Sequence, residues 1–161
     1  MFPIMKTRFI VTGKTEEAYL REGIQEYRQR IHRYIPFEIV EIPALRNAST
    51  MPVATQMQKE AEAVRRHLVP GECLVLLDER GKEMTSTEFA SFLNRQFTSG
   101  SKGLTFLIGG PFGFDPALKK EATHLLSLSR MTFSHQMVRL FFTEQLYRAL
   151  TILNGASYHH E

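Results

Sequence analysis

The sequence predicts an α/β fold in which a mostly parallel five-stranded sheet is flanked by helices. Three observations predict it. Apolar, β-rich stretches alternate with helical stretches along all 161 residues, residues 73–77 form a continuous apolar run, and no repeat, linker or low-complexity segment interrupts the pattern. Such alternation favours parallel strands joined by helical crossovers, and the length suits a single domain spanning residues 1–161.

The first half of the chain supplies two strands and two helices. Residues 5–11 form the first predicted strand, and a helix follows over residues 15–34, where apolar side chains recur at helical spacing. Residues 37–42 form the second strand. The polar stretch 44–50 is predicted to be a mobile loop, and Pro52 suits the first turn of the second helix.

The middle of the chain supplies the centre of the sheet. A continuous apolar run is typical of a strand covered on both faces, so residues 73–77 are predicted to form a central strand. Thr85 and Glu88 have the spacing of a capping box, which predicts a helix that begins there. Residues 103–108 form the fourth predicted strand.

The C-terminal third contains two helices around a fifth strand. Asp115 followed by Pro116 predicts an N-cap and a first-turn proline, for a helix that runs to about residue 126. Residues 128–133 are predicted to form the fifth strand. The last helix is predicted over residues 135–154, where Gly155 stops it.

Composition limits the class of protein. The net charge of +3 is compatible with a polyanionic partner, but it is weaker than that of dedicated nucleic-acid binders and favours a slightly basic domain. The single cysteine, Cys73, excludes an intramolecular disulfide and a multi-cysteine zinc site, and it is most simply a core residue. No apolar run approaches the roughly 20 residues of a membrane span, and no signal peptide is evident, so we expect a cytoplasmic protein.

Chemistry is expected where the strands end. Ligands of open α/β sheets bind beyond the carboxyl ends of the strands, here just after Leu77, Ile108 and Phe133. The glycine-rich stretch that follows Ile108 would let a ligand approach the backbone closely. It has neither the G-x-G-x-x-G spacing of a dinucleotide site nor a P-loop lysine, and a plain tight turn explains it as well.

His135 is a candidate proton acceptor at the start of the last helix. The helix dipole disfavours a cation at this end, so a neutral imidazole could accept a proton there. A hydrogen-bonded capping side chain is the alternative, which the local sequence favours. The last helix also carries Arg139, Glu144, Tyr147 and Arg148 among strongly apolar neighbours. Those polar groups need partners in the fold, in a ligand or across a subunit interface, and both self-association and an ordinary core helix fit the pattern.

The chain ends on Tyr158, His159, His160 and Glu161. Two adjacent histidines can indicate a metal, but no H-E-x-x-H motif or spaced ligand set accompanies them. We therefore predict no metal site.

Several separated motifs together resemble one known family. The stretches LIGGPFGF, LSLSRMTFSHQMVR, TEQLYRA and the terminal YHHE, in this order and at these separations, closely resemble the RlmH family of SPOUT-class methyltransferases. The N-terminal residues 5–31 are similar to that family's first strand and helix, so the resemblance covers nearly the whole chain.

The resemblance implies an activity and a fold feature. It implies transfer of a methyl group from S-adenosylmethionine to N3 of a pseudouridine in helix 69 of the 23S ribosomal RNA, in the assembled ribosome. It also implies a homodimer with the last helix in the interface, and a C-terminal trefoil knot that holds the cofactor, an exception to the rule against threaded chains. The implied cofactor-binding residues are Leu77, Gly109, Leu128, Ser129, Arg130, Met131, Thr132 and Phe133.

A mechanism follows as a hypothesis from the resemblance and the chemistry. The N3 imide proton must leave, and His135 or His159 is expected to take it. Arg139 is expected to stabilise the developing anion, and Tyr158 to position the base. Lysines and arginines such as Arg8, Lys14, Arg130 and Arg139 are candidates for phosphate contacts.

Two departures from the family pattern and two alternatives stay open. Ser134 occupies a position where the family commonly has proline, which predicts a less rigid entry into the last helix. Met1 to Ile4 precede the family's usual start, which leaves Met1 and Met5 both open as initiators. The alternative functions are a non-catalytic ribosome-associated binding module and a SPOUT methyltransferase that acts on transfer RNA.

Overall fold

The computed structural model describes residues 5–160. The suggested N-terminal extension, Met1 to Ile4, and the last residue, Glu161, therefore lie outside the described residues. The elements of the described part are β1 (Thr7–Thr12), α1 (Ala18–His32), β2 (Phe37–Ile42), a 3-10 turn (Ala48–Thr50), α2 (Val53–Arg65), β3 (Cys73–Glu83), α3 (Ser86–Phe97), β4 (Leu104–Ile108), α4 (Pro116–Glu121), β5 (His124–Ser127) and α5 (Met137–Leu153).

The strands form one five-stranded sheet in the order β2-β1-β4-β3-β5, and every neighbouring pair is parallel. This confirms the predicted α/β fold with alternating strands and helices. Because all five strands run the same way, their carboxyl ends lie at one edge of the sheet, where the predicted site should be.

Two apolar layers hold the helices against the two faces of the sheet. On one face, Phe142 of α5 packs with Phe9 of β1 and Phe106 of β4, at ring-centroid distances of 4.5 and 4.7 Å. On the other face, Val64 of α2 and Leu118 of α4 belong to a second buried cluster with side chains of β1, β3 and β4. Burial on both faces explains why the central strands are continuously apolar.

Local signals placed most helix starts correctly. The Thr85 hydroxyl accepts a hydrogen bond from the Glu88 amide, and the capping box closes as predicted. The Asp115 carboxylate accepts from the Ala117 amide, with Pro116 at the first position of α4. The other predicted boundaries shift by at most three residues, except in the segment 121–133 and at the end of β3.

The predicted fifth strand over residues 128–133 was wrong. The strand is His124–Ser127, and α4 ends at Glu121 instead of near residue 126. The early start is fixed from outside the segment, because Thr123 donates its amide to the Leu74 carbonyl and its hydroxyl accepts from the Leu74 amide. Residues 128–133 form a loop beyond the carboxyl end of β5.

β3 extends further than its apolar run, and it contacts β5 twice. Leu126 pairs with Leu77 and also with Lys82, so β5 lies between two stretches of the same strand. The turn over residues 78–81 connects those stretches around β5. This is the arrangement that a chain threaded through the turn requires, in agreement with the C-terminal knot that the family resemblance implies.

Gly81 lies where this turn crosses β5. A Cβ atom at Gly81 would lie 2.6 Å from the backbone carbon of Leu125 and the backbone nitrogen of Leu126. Neither backbone atom can move away without disturbing the pairing of β5. The close crossing therefore requires glycine at this position.

We expect Gly81→Ala to destabilise the protein by about 3 kcal/mol, because the added methyl group overpacks a backbone crossing. Urea unfolding followed by circular dichroism measures the loss. The matched control is Gly103→Ala, whose Cβ would meet the Lys6 carbonyl oxygen at 3.4 Å, an ordinary contact. Equal midpoints for the two variants would contradict the close crossing at Gly81.

Candidate active site

A cavity of about 460 Å³ opens at the carboxyl edge of the sheet, within the size range of small-molecule sites. Three segments supply most of its wall: the segment 78–81 between the two pairing stretches of β3, the glycine-rich turn after β4 and the loop after β5. Its lining residues are Met57, Leu77, Asp78, Glu79, Arg80, Ile108, Gly109, Gly110, Pro111, Phe112, Gly113, Phe114, Lys119, Leu128, Ser129, Met131, Thr132, Phe133, His135 and Val138. The cavity lies where the strand-end rule predicted chemistry.

Glycines give the turn after β4 its close contacts and its conformation. A Cβ atom on Gly109 would lie 3.1 Å from the backbone of Gly113, and one on Gly110 would lie 2.6 Å from a carboxylate oxygen of Glu60. Gly113 has φ +84°, which favours glycine, and its amide donates to the Gly110 carbonyl at 3.0 Å. At its glycines the turn therefore presents backbone that a ligand can approach closely, beside the side chains of Pro111 and Phe112.

The segment 78–81 of β3 is tied to the other walls by its acidic side chains. The Asp78 carboxylate lies 3.2 Å from Lys119 of α4, and it accepts the Arg80 amide at 2.9 Å. The Glu79 carboxylate accepts a hydrogen bond from the Thr132 hydroxyl at 3.0 Å. These contacts hold α4 and the loop after β5 at fixed positions around the cavity.

The loop after β5 carries six of the predicted cofactor-binding residues. Ser129 shapes it: the Ser129 carbonyl accepts from the Ser127 hydroxyl at 2.9 Å, and its own hydroxyl accepts from the Met131 amide at 3.0 Å. All six residues except Arg130 line the cavity. Arg130 pairs instead with Glu83 at 3.3 Å on the surface. Met131 is 75% exposed, so its side chain is available to a ligand or a partner.

His135 lines the same cavity, two residues before α5 begins at Met137. The side-chain hydrogen bond to the first helical amide comes from Ser134, whose hydroxyl accepts from the Met137 amide at 3.0 Å. The capping role left open for His135 is thus taken by its neighbour. The Ser134 carbonyl also accepts from the Val138 amide, so serine secures the helix entry here by hydrogen bonds.

Arg139 is part of the fold's interior. Its side chain is 3% exposed, and its guanidinium donates to the backbone carbonyls of Thr12, Gly13 and His135 and to the Thr15 hydroxyl. Burial lowers the pKa of Arg139, yet arginine stays charged in proteins. The side chain therefore ties α5 and His135 to the end of β1, and it does not line the cavity.

The tail folds back onto α5 in a network centred on Glu144. One oxygen of Glu144 accepts from the Tyr158 phenol at 2.9 Å and from Arg148 at 2.6 Å. Arg148 also lies 3.1 Å from Nδ1 of His159, and Tyr158 packs edge-on against Tyr147. Burial and the hydrogen bonds raise the pKa of Tyr158, so its phenol stays protonated and acts as a donor.

The structure therefore groups the predicted catalytic residues in two places. His135 lies at the 460 Å³ cavity, whereas Tyr158 and His159 do not line it. A second cavity of about 390 Å³ lies beside the first, and the two share Leu128 and Phe133 as wall residues. Glu144 lines this second cavity, so the tail network reaches its wall.

Sequence reasoning missed several cavity residues. Asp78, Glu79 and Arg80 lie in the segment just after Leu77 that the strand-end rule indicated, but the sequence assigned no role to any of the three. Met57 comes from α2, whose sequence carries no signal for the site. In residues 5–160, no group of three or more His, Cys, Asp or Glu side chains could hold a metal ion, and no helix is long and apolar enough to cross a membrane.

Comparisons with known proteins agree on one family. A family model described as predicted SPOUT methyltransferases matches residues 5–159. A protein of Parabacteroides distasonis named ribosomal RNA large subunit methyltransferase H is 50% identical over 157 residues, covering 98% of this chain and 100% of that protein. A protein of the same name from Bacteroides thetaiotaomicron is 48% identical over 157 residues, with the same coverage.

Solved structures share the fold. The crystal structure of a probable methyltransferase from Bordetella pertussis Tohama I aligns with a TM-score of 0.55 at 15% identity, covering 91% of this chain and 95% of that one. A probable methylase family protein from Haemophilus influenzae Rd KW20 aligns with a TM-score of 0.51 at 12% identity, covering 100% of this chain and 72% of that one.

We expect Arg139→Met to destabilise the protein by about 3 kcal/mol, because it leaves the buried carbonyls at the end of β1 without donors. Urea unfolding measures the loss. Arg95→Met, which removes an exposed arginine from α3, is the control and should change stability by less than about 0.5 kcal/mol. An Arg139→Met protein as stable as the control would show that these hydrogen bonds do not hold α5 in place.

Proposed function

The chain belongs to the SPOUT methyltransferase family, in the group of the ribosomal RNA large subunit methyltransferase H proteins, and from that premise we propose that it methylates ribosomal RNA of the large subunit. S-adenosylmethionine is the methyl donor. The acceptor is N3 of a pseudouridine in helix 69 of the 23S ribosomal RNA, and the substrate is the assembled ribosome. The observation that supports this most is the cavity formed by the three carboxyl-end turns.

The residues present fit the cofactor. The cavity of about 460 Å³ can hold a ligand of this size, and it combines apolar walls with exposed backbone. A Cβ atom at Gly109 would lie 3.1 Å from the backbone of Gly113, so glycine keeps this part of the wall open to close contact with a nucleoside. We assign cofactor binding to Leu77, Gly109, Leu128, Ser129, Met131, Thr132 and Phe133, and we place Arg130 at the surface of the same loop.

The cofactor supplies a methyl group on a sulfonium, whose transfer to N3 leaves a neutral thioether. The protein must therefore hold N3 in line with that methyl group, and good positioning can contribute about 7–11 kcal/mol. His135 takes the N3 proton, because it is the histidine that lines the cavity. Arg139, which donates to the His135 carbonyl at 3.2 Å, acts by positioning that segment, since its guanidinium is occupied by the fold.

The tail residues have a role beside the proton transfer. Tyr158 stays protonated and donates to Glu144, so it orders the tail network and does not act as a base. In a single chain, neither Tyr158 nor His159 lines the cofactor cavity. Direct action of His159 on the substrate would require the tail to move or to serve a second copy of the chain. We propose a homodimer with α5 in the interface, consistent with the 40% exposure of Phe141.

The substrate assigns the protein to the cytoplasm, where ribosomes are found. We propose that the surface around the cavity contacts phosphates. Arg80, an exposed cavity residue, joins Lys14 and Arg130 as a candidate for these contacts. Arg8 is a poor candidate because it is held by a two-oxygen contact with Glu72. Arg139 is buried, so it is not a candidate for phosphate contacts.

We expect the purified protein to bind S-adenosylmethionine in calorimetric titration and to transfer tritiated methyl groups to unmethylated ribosomes. Free ribosomal RNA and transfer RNA are the comparison substrates, and both should accept far less. Binding without transfer to any RNA would favour the non-catalytic ribosome-associated module, and preferential transfer to transfer RNA would favour the other alternative. Absence of binding would remove the methyltransferase proposal.

We expect His135→Ala to lower kcat by roughly 10²-fold, because a positioned base contributes about 10²–10⁴ to such a step. Methyl transfer to ribosomes at saturating cofactor measures the effect. His67→Ala, an exposed histidine outside the cavity, is the control. His159→Ala is assayed in parallel: the larger loss identifies the base, and full activity in both variants would exclude both histidines.

A further inference from the structure

The tip of the glycine-rich turn after β4 carries an aromatic side chain that the proposed cofactor contacts do not include. The Gly113 amide donates to the Gly110 carbonyl at 3.0 Å, so Pro111 and Phe112 are the two central residues of a tight turn. Phe112 lines the cofactor cavity, and it is 53% exposed. Its ring therefore lies at the mouth of that cavity, where it faces both the cavity and the solvent.

The turn holds Phe112 in a fixed place. Phe114, two residues further on, is 6% exposed and belongs to a buried cluster with side chains of α2 and α4. A Cβ atom at Gly110 would lie 2.6 Å from a carboxylate oxygen of Glu60, so α2 packs directly against the turn. Within residues 5–160, Phe112 itself belongs to neither buried cluster. A ring that an anchored turn presents to solvent can bind a ligand with little loss of conformational entropy.

The reaction requires the acceptor base at this same mouth. The acceptor nitrogen must come to about 3–3.5 Å from the methyl carbon, and His135, which takes the proton, lines this cavity. The cavity volume of about 460 Å³ is that of a single small-molecule site, which the cofactor fills. The base therefore lies at the rim of the cavity, among the exposed residues that line it.

An aromatic ring at the rim suits the face of the base. Base-modifying enzymes take the target base out of its stack, and an aromatic side chain can replace the stacking that the base loses. Stacking uses the face of a pyrimidine and leaves its hydrogen-bonding edge free. The N3 proton lies on that edge, so Phe112 can cover the face while His135 takes the proton. The two contacts do not compete.

Arg80 gives the same rim a cation. It is exposed and lines the cavity, and in the part of the chain that the structure describes its guanidinium makes no ion pair. The neighbouring carboxylates are engaged elsewhere, since Asp78 contacts Lys119 and Glu79 accepts from Thr132. Proteins bind unpaired nucleotides by combining aromatic rings that stack on bases with cations that contact the backbone. The rim offers this combination, which favours RNA over an apolar protein surface as its partner.

We propose that Phe112 is a substrate-binding residue, whose ring stacks on the face of the acceptor pyrimidine at the mouth of the cofactor cavity, beside the cation of Arg80. This rests on the proposed function, because it names a contact to the substrate of that reaction. The residues assigned to the cofactor do not include Phe112, so S-adenosylmethionine binds without its ring.

Paired substitutions test the stacking. Phe112→Leu should lower kcat/KM on ribosomes roughly tenfold because the aromatic face is lost, whereas Phe112→Tyr keeps the face and should stay within about twofold of the wild type. Calorimetric affinity for S-adenosylmethionine should stay within about twofold in both variants. The matched control is Tyr19→Leu, at an aromatic position of α1 that is 63% exposed and outside the cavity, and it should leave kcat/KM within about twofold.

A crosslink identifies what this side chain touches on the ribosome. The photoreactive amino acid p-benzoylphenylalanine replaces Phe112, the protein is irradiated with unmethylated ribosomes, and the crosslinked nucleotides are mapped by primer extension. The expected stop lies at the acceptor nucleotide or at one beside it, and the same label in place of Tyr19 should not produce it. A crosslink of position 112 confined to ribosomal protein or to a second copy of the chain would overturn the proposal.

The other outcomes separate this proposal from the proposed function. If Phe112→Leu keeps kcat/KM within about twofold while the wild type is active, the stacking contact is wrong and the proposed function stands. If Phe112→Leu weakens S-adenosylmethionine binding by as much as it lowers kcat/KM, the ring packs on the cofactor and the proposal is again wrong. A wild-type protein that methylates no RNA overturns the proposed function itself.

Discussion

The position of β5 between two stretches of β3 is the constraint on which the site depends. Leu126 pairs with Leu77 on one side and Lys82 on the other, and Gly81 crosses β5 at backbone contact. The turn over residues 78–81 is therefore fixed beside the loop that leaves β5. Both segments meet the glycine-rich turn after β4 at the same edge, because all strands of the sheet are parallel. A cavity walled by three separate turns thus depends on one crossing of the chain.

A second fixed point joins the last helix to the first strand. The buried guanidinium of Arg139 donates to the carbonyls of Thr12 and Gly13 at the end of β1, and these carbonyls would be left unsatisfied if it took other partners. The apolar packing of Phe142 against Phe9 and Phe106 also holds α5 against the sheet. Together they place His135 at the cavity, and the Ser134 hydroxyl secures the entry to α5 where the family commonly has proline.

The two neighbouring cavities differ in their lining residues. The first has bare glycine backbone and side chains from three turns, which suits a nucleoside cofactor. The second has aromatic rings and the carboxamide of Gln145 in its wall. Glu144 belongs to the second cavity and to the tail network, so the C-terminal residues act on the site through hydrogen bonds with α5.

The sequence by itself determined the alternation of elements, the capping box at Thr85 and the glycine turn after β4, because these depend on residues close together in the chain. It also carried the family motifs. Only the tertiary structure decided that β5 begins at His124, since hydrogen bonds between Thr123 and Leu74, 49 residues apart, fix that start. The same holds for Arg139, whose partners lie over 120 residues away, and for the second cavity, whose walls come from three elements. Contacts between distant segments leave no local pattern to read.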